Sequence, residues 1–194
     1  MENLIIQAKI ADIFQLYSAF GADEYIGEPV SQLEHMSQAA EFAIEAGADD
    51  EVILAAFFHD IGHLLADRVK AESMNGFGAI DHEQLGADFL KTLGFSDRMC
   101  SLIKNHVQAK RYLTLTRPGY YEKLSVASLS TLAFQGGVMT ESEAELFRSD
   151  RWFEDHIRLR IWDEQAKEVS VPLIDLDKMK KLAHKLLLNQ LNSW

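Results

Sequence analysis

A single cysteine, Cys100, among 194 residues rules out an intrachain disulfide. It sits among apolar residues of a helical stretch and reads as an inert core thiol, so cysteine takes no part in the chemistry. Basic residues are also scarce: 19 Lys and Arg against 30 Asp and Glu give a formal net charge of -11. Such a surface repels phosphate backbones and anionic membranes, which argues against nucleic acid and membrane partners. An anionic substrate would have to meet a local cationic pocket. No long apolar run is available for a membrane span. The opening Met1-Glu2-Asn3 lacks the basic segment and apolar core of a signal peptide, and the expected location is the cytoplasm. No alternating segment is long enough for a strand, and there is no repeat or low-complexity tract.

What is present is helix after helix. Hydrophobic residues make up 47% of the chain and charged residues 25%, an ordinary globular balance that fits one domain over residues 1–194. Ile6, Ile10, Ile13, Phe14 and Tyr17 recur at helical spacing up to Gly21. Ser31 with Glu34 forms a capping-box pattern for a helix that carries His35 and ends near Gly47. Asp49 or Asp50 can cap the next helix, apolar nearly all round and therefore buried, which runs into His59-Asp60. The charged, glycine-containing stretch from Ala66 to Ile80 reads as a long loop. Asp81 and Ser96 can cap helices over 82–93 and about 97–110. A turn at Arg117-Pro118-Gly119 precedes a helix over about 121–135. Thr140 with Glu143 then opens helical sequence through Asp163, and Asp175 opens a last amphipathic helix. The predicted fold class is all-α.

The chemistry concentrates in His59-Asp60-Ile61-Gly62-His63, with His35 upstream and His82, His106 and Asp163 downstream. Imidazole and carboxylate are the ligands that iron, manganese and zinc prefer, and burying them without a metal or partner is costly. Adjacent helical residues project about 100° apart, so His59 and Asp60 cannot chelate one ion as an i, i+4 pair does. A carboxylate has two oxygens, however. Asp60 can bridge two metals while His59 serves one, which makes a dinuclear site the economical reading of His35, His59, Asp60, His82, His106 and Asp163. Any one of these histidines alone would more often be a hydrogen-bonded core residue. His156 and His184 lack such a context and read as surface or core residues.

His63 follows His59 by four residues and is assigned to substrate. Lys110 stands in the same relation to His106, where an anion pocket and a solvated Lys110-Arg111 pair are equally open on spacing. Ser128, Thr131 and Gln135 form one polar stripe able to donate to phosphate-type oxygens, although periodicity alone favours a solvent-facing stripe.

His35, His59-Asp60 and Asp163 resemble the HD-domain superfamily of metal-dependent phosphohydrolases, and His82 with His106 resembles its dinuclear branch. Further segments resemble the phosphonate-degrading mixed-valent diiron oxygenases. They are Tyr25-Ile26-Gly27-Glu28, Gln32-Leu33-Glu34-His35, His106-Val107 with Ala109-Lys110-Arg111-Tyr112-Leu113, Thr131-Leu132, Gln135-Gly136-Gly137 and Trp162-Asp163-Glu164. The likeness extends from Tyr25 to Asp163. It implies two iron ions, Fe(II) and Fe(III), one held by His35, His59, Asp60 and Asp163 and the other by Asp60, His82 and His106. With dioxygen as co-substrate, the implied reaction cleaves the carbon-phosphorus bond of a 2-amino-1-hydroxyalkylphosphonate, or an N-methylated analogue, to an amino acid and phosphate. His63, Lys110, Ser128 and Thr131 would hold the phosphonate, with Gln135 nearby. Tyr25 would occupy an iron position until substrate arrives, and Glu28 would receive the substrate ammonium. The implied partner is a small molecule, with the chain a monomer or weak homo-oligomer. The alternative is an HD-type phosphohydrolase acting on a nucleotide or small phosphate ester.

Overall fold

Local capping chemistry sets most helix starts in the computed structural model, which describes residues 2–25, 27–74 and 76–192. Ile26, in the Tyr25 to Glu28 segment, lies outside the described residues. The first helix, α1 (Glu2–Phe20), buries Ile6, Ile10, Ile13, Phe14 and Tyr17 and stops at Gly21. A reciprocal capping box opens α2 (Gln32–Glu45): the Ser31 N–H donates to Glu34 Oε2 at 2.7 Å, and the Glu34 N–H donates to Ser31 Oγ at 3.2 Å. Asp49 caps α3 (Asp50–Phe58), whose Leu54, Phe57 and Phe58 are fully buried.

A helix running through His59 and Asp60 is the sequence expectation, but the chain breaks there. Asp60 takes φ -105° and ψ 13°, and α4 (Ile61–Val69) starts afresh. Just after the break, Gly62 presses against the start of α5 (His82–Leu93) so closely that a Cβ would overlap the His82 carbonyl oxygen. This contact brings His82 next to the Asp60 turn. Gly62→Ala is therefore expected to force the two helices apart and cost about 3 kcal/mol, which lowers Tm by roughly 6–12 °C in a domain of this size. Thermal denaturation checks it, and an unchanged Tm would mean that the contact relaxes without strain.

Other boundaries shift for local reasons. Helix α4 continues to Val69, so the long loop begins at residue 70 rather than 66. Asp81 adopts a left-handed φ of 54° and its side chain caps nothing, whereas Ser96 caps α6 (Asp97–Thr116) as expected. That helix continues six residues past Lys110, because Lys110 and Arg111 are buried within it instead of ending it. The expected helix over 121–135 is a 3-10 turn (Tyr121–Lys123) followed by α7 (Val126–Phe134), capped by Ser125. The Thr140/Glu143 box opens α8 (Glu141–Arg148). Asp150 Oδ1 then accepts the Trp152 N–H and interrupts the helical run before α9 (Phe153–Gln165). Asp175 caps the final α10 (Leu176–Leu191).

The inner layer is formed by α2, α3, α6 and α9, packed on one another; α5 lies on α6, α4 on α5, and the α1/α10 pair covers the far side through α10 on α3. The chain is all-α: among the described residues only two isolated β-bridges occur. No helix among them is long and apolar enough to cross a membrane. The ends of α2, α3, α5 and α9 and the middle of α6 carry polar side chains into this packed centre.

Candidate metal centre and active site

His35 on α2, His59 and Asp60 at the α3/α4 break, His82 at the start of α5, His106 on α6 and Asp163 on α9 are all buried. Three of the imidazoles are oriented by main-chain carbonyls. Nδ1 of His35, His59 and His106 lies 2.9, 2.8 and 2.7 Å from the oxygens of Ala166, Ala56 and Ile103. A carbonyl only accepts, so each Nδ1 donates its proton and each Nε2 is left with a lone pair, the tautomer a metal requires. The Nε2 atoms nevertheless meet in pairs, His35 with His59 at 3.0 Å and His82 with His106 at 3.2 Å. For His35 and His59 both Nε2 atoms carry lone pairs, which at that separation repel unless a proton or a metal cation stands between them.

Asp60 joins the two pairs. Its Oδ2 lies 3.5 and 3.4 Å from Nε2 of His35 and His59, and its Oδ1 lies 3.2 and 3.4 Å from Nε2 of His82 and His106. Asp163 Oδ1 adds a second carboxylate to the first pair, at 3.5 and 3.8 Å. Two donor sets sharing one carboxylate can hold two metal ions, and the break at Asp60 is what turns it toward both. Burial pushes the Asp60 carboxyl up, but His59, His35 and His82 hold it well below the usual carboxylate range. Burial pulls His35 down, yet Asp163 and Asp60 raise it to about 9. A metal cation would take the place of that proton. His106, dominated by burial, falls to about 3. Glu83 Oε2 stands 3.4 Å from His82 Nδ1, the remaining ring nitrogen of the four histidines.

A cavity of about 50 Å³ adjoins this centre, lined among others by Tyr25, Glu28, His63, Lys110, Ser128, Thr131, Gln135 and Arg160. That is room for roughly four water-sized groups. The Tyr25 ring lies flat on His35, centroids 3.9 Å apart, and burial with the Asp60 and Asp163 charges raises its hydroxyl well above the usual phenol range. It is a neutral phenol covering the His35 ring. His63 stacks on His82 at 4.0 Å and its Nδ1 accepts the Ala79 N–H at 3.2 Å, so Nε2 carries the proton. His63 is near enough to Asp60 and His82 to join a metal group, but that tautomer leaves it an N–H rather than a lone pair at Nε2.

Lys110 is only 3% exposed, which removes the solvated alternative. Its Nζ donates to Thr131 Oγ1 at 3.1 Å and to the Ser128 carbonyl at 3.4 Å, both neutral acceptors. Burial, with Arg160 nearby, pulls its pKa to about 7. Ser128, Thr131 and Gln135 do not form a solvent-facing stripe: all three line the cavity, while Val126 and Phe134 point outward. Tertiary packing of α7 against Lys110 overrides the hydrophobic pattern here. Gln135 Oε1 is buried and has no hydrogen-bond donor among the described residues.

Two functional neighbours escaped the sequence reading. Arg160, buried on α9, donates from Nη1 to Asp163 Oδ2 at 2.5 Å and from Nε to the Tyr120 hydroxyl at 3.1 Å. The i, i+3 spacing to Asp163 was its only signal. Lys167 donates from Nζ to Glu28 Oε1 at 2.6 Å, so the carboxylate expected to receive a substrate ammonium already holds a cation. Nothing local marks a pair 139 residues apart.

The HD domain family matches residues 33–159, which contain His35 through His106 but stop short of Asp163. The chain is 41% identical over 182 residues to an uncharacterized protein of Acanthamoeba polyphaga mimivirus, covering 94% of this chain and 82% of that one. It is 37% identical over 172 residues to hydroxymethylphosphonate dioxygenase of Gimesia maris, covering 88% and 84% of the two chains. Over 160 residues it is 36% identical to [1-hydroxy-2-(trimethylamino)ethyl]phosphonate dioxygenase (glycine-betaine-forming) of Leisingera caerulea, covering 82% and 81%.

Proposed function

This chain belongs to the HD-domain family, and we propose that within it the chain is an iron-dependent oxygenase cleaving the carbon-phosphorus bond of a 1-hydroxyalkylphosphonate. One dioxygen per phosphonate balances the reaction to one carboxylic acid and one phosphate; 2-amino-1-hydroxyalkylphosphonates and their N-methylated analogues fall in this class and would yield amino acids. The observation that carries the reading is the Asp60 carboxylate spanning two histidine pairs beside an ammonium, Lys110, that has no carboxylate partner among the described residues. Both phosphonate dioxygenases among the relatives support it.

Two iron ions, held by His35, His59, Asp60 and Asp163 and by Asp60, His82 and His106, would supply dioxygen activation and the redox chemistry. The protein's own groups do the rest. Lys110 offers a cation, His63 an N–H from Nε2, and Ser128 and Thr131 hydroxyls to the phosphonate oxygens. Tyr25, lying over His35, excludes water until substrate enters, and the Gly27 turn lets its loop yield. Arg160 holds the Asp163 carboxylate in one orientation. The phosphohydrolase alternative, on a nucleotide or small phosphate ester, has less support, because both named relatives are phosphonate dioxygenases. Metal analysis with oxygen uptake on hydroxyphosphonates, set against anaerobic phosphate release from nucleotides, separates the two. Phosphate release from nucleotides without oxygen uptake would overturn the oxygenase reading.

Lys110→Ala is expected to remove one buried charge-assisted contact worth about 2–3 kcal/mol, raising KM for the phosphonate roughly 30–150-fold. The low pKa adds a pH signature. Lys110 is cationic below about 7 and loses its proton as pH rises through that value, so kcat/KM falls on the alkaline side of 7. Lys110→Arg stays charged and should shift that limb above pH 9. A limb that does not move would assign it to another group.

A further inference from the structure

The Glu28 carboxylate, among the described residues the one acidic group of the cavity wall outside the metal centre, is occupied from within the chain. Lys167 Nζ lies 2.6 Å from Glu28 Oε1 and 3.1 Å from Ser125 Oγ. Both partners of the ion pair are largely covered, the Glu28 side chain at 8% exposure and the Lys167 side chain at 19%. Lys167 is not a loosely held surface lysine. Its amide N–H donates to the Gln165 carbonyl at 2.8 Å. On one side the Ala166 carbonyl receives His35 Nδ1; on the other, the Gln38 amide bonds both the carbonyl and the N–H of Glu168. The backbone that carries Lys167 is thus clamped to α2 at both neighbours, and its side chain spans to the 22–31 loop and to the cap of α7.

An ammonium arriving at Glu28 meets a neutralised pair. Attraction to the carboxylate and repulsion from Lys167 act over similar distances and largely cancel. Displacing Lys167 would leave its own ammonium mostly buried without a counter-ion, which costs more than the new contact returns. We propose that Lys167 is a specificity-determining residue that blanks Glu28 as an amine receptor, so that this site takes a 1-hydroxyphosphonate lacking an ammonium group. The assignment rests on the phosphonate reading above and revises the expectation of an amino substrate.

The test is the anaerobic binding, by calorimetry on iron-loaded protein, of 1-hydroxyethylphosphonate and 2-amino-1-hydroxyethylphosphonate. Wild type should bind the amino compound no tighter than the amine-free one. Lys167→Met should free Glu28 and shift the ratio of the two Kd values toward the amino compound by about tenfold, while Lys167→Arg keeps the wild-type ratio. Adding Glu28→Gln to Lys167→Met should abolish the shift, which a merely structural role of Lys167 would not do. A wild-type preference for the amino compound of tenfold or more, or an unchanged ratio in Lys167→Met, overturns the proposal; Lys167→Gln serves if the Met variant does not fold. Oxygen uptake measured alongside separates the two readings. A shifted ratio without oxygen uptake rejects the oxygenase and leaves Lys167 standing, uptake with no shift does the reverse, and no binding of either phosphonate rejects both.

Discussion

Asp60→Ala is expected to retain at most one metal ion per chain and to lose turnover by about three orders of magnitude or more. Among the described residues Asp60 alone reaches both histidine pairs, with Oδ2 toward His35 and His59 and Oδ1 toward His82 and His106. Removing it takes a ligand from each site and leaves two neighbouring cations without the anion between them. Asp60 lies in the turn between α3 and α4 and its side chain caps neither helix, so folding should survive and the loss be specific to metal. Elemental analysis of purified protein and oxygen uptake are the measurements. Two metals per chain with normal turnover would defeat the bridging assignment.

Arg160→Met is expected to cost about 3–5 kcal/mol, because it strands the Asp163 carboxylate in the interior without its guanidinium. For a domain of this size the loss corresponds to a drop in Tm of roughly 6–20 °C. Burial works to raise the Asp163 carboxyl, and Arg160 is the largest influence holding it well below the usual range. A metal cation on Asp163 would replace that counter-charge, so added ferrous iron should recover part of the lost Tm in the variant and less in wild type. Tyr120→Phe removes only the hydroxyl that receives Arg160 Nε and should cost about 1 kcal/mol. A Tm for Arg160→Met within 2 °C of wild type would mean that the pair contributes orientation without stability.

Much of this architecture is written locally. Ser31 with Glu34, Thr140 with Glu143, and Asp49, Ser96 and Asp175 each bond a backbone N–H two or three residues on, so helix starts can be read from neighbours alone. The donor set was legible for a different reason. Histidine and aspartate inside apolar helical sequence are too costly to bury without a cation or partner, so their presence announces a site before any geometry is known. What local sequence did not carry were the features made by contact between distant segments. The close approach of α4 to α5 is a contact of Gly62 with the His82 carbonyl, and the inward face of α7 follows from Thr131 meeting Lys110, not from its periodicity.

Residue types and spacing by themselves determined that this chain is helical and where its metal-seeking side chains lie. Only the tertiary structure decided that Asp60 faces two histidine pairs, that Lys110 is a buried cation bonded to Thr131 and the Ser128 carbonyl, that Arg160 secures Asp163, and that Lys167 already occupies Glu28. Caps and buried ligands are settled by energies acting over a few residues or on one side chain. The partner of a charge is settled by which remote segment folding brings within about 4 Å of it, where a low-dielectric interior makes the pairing strong.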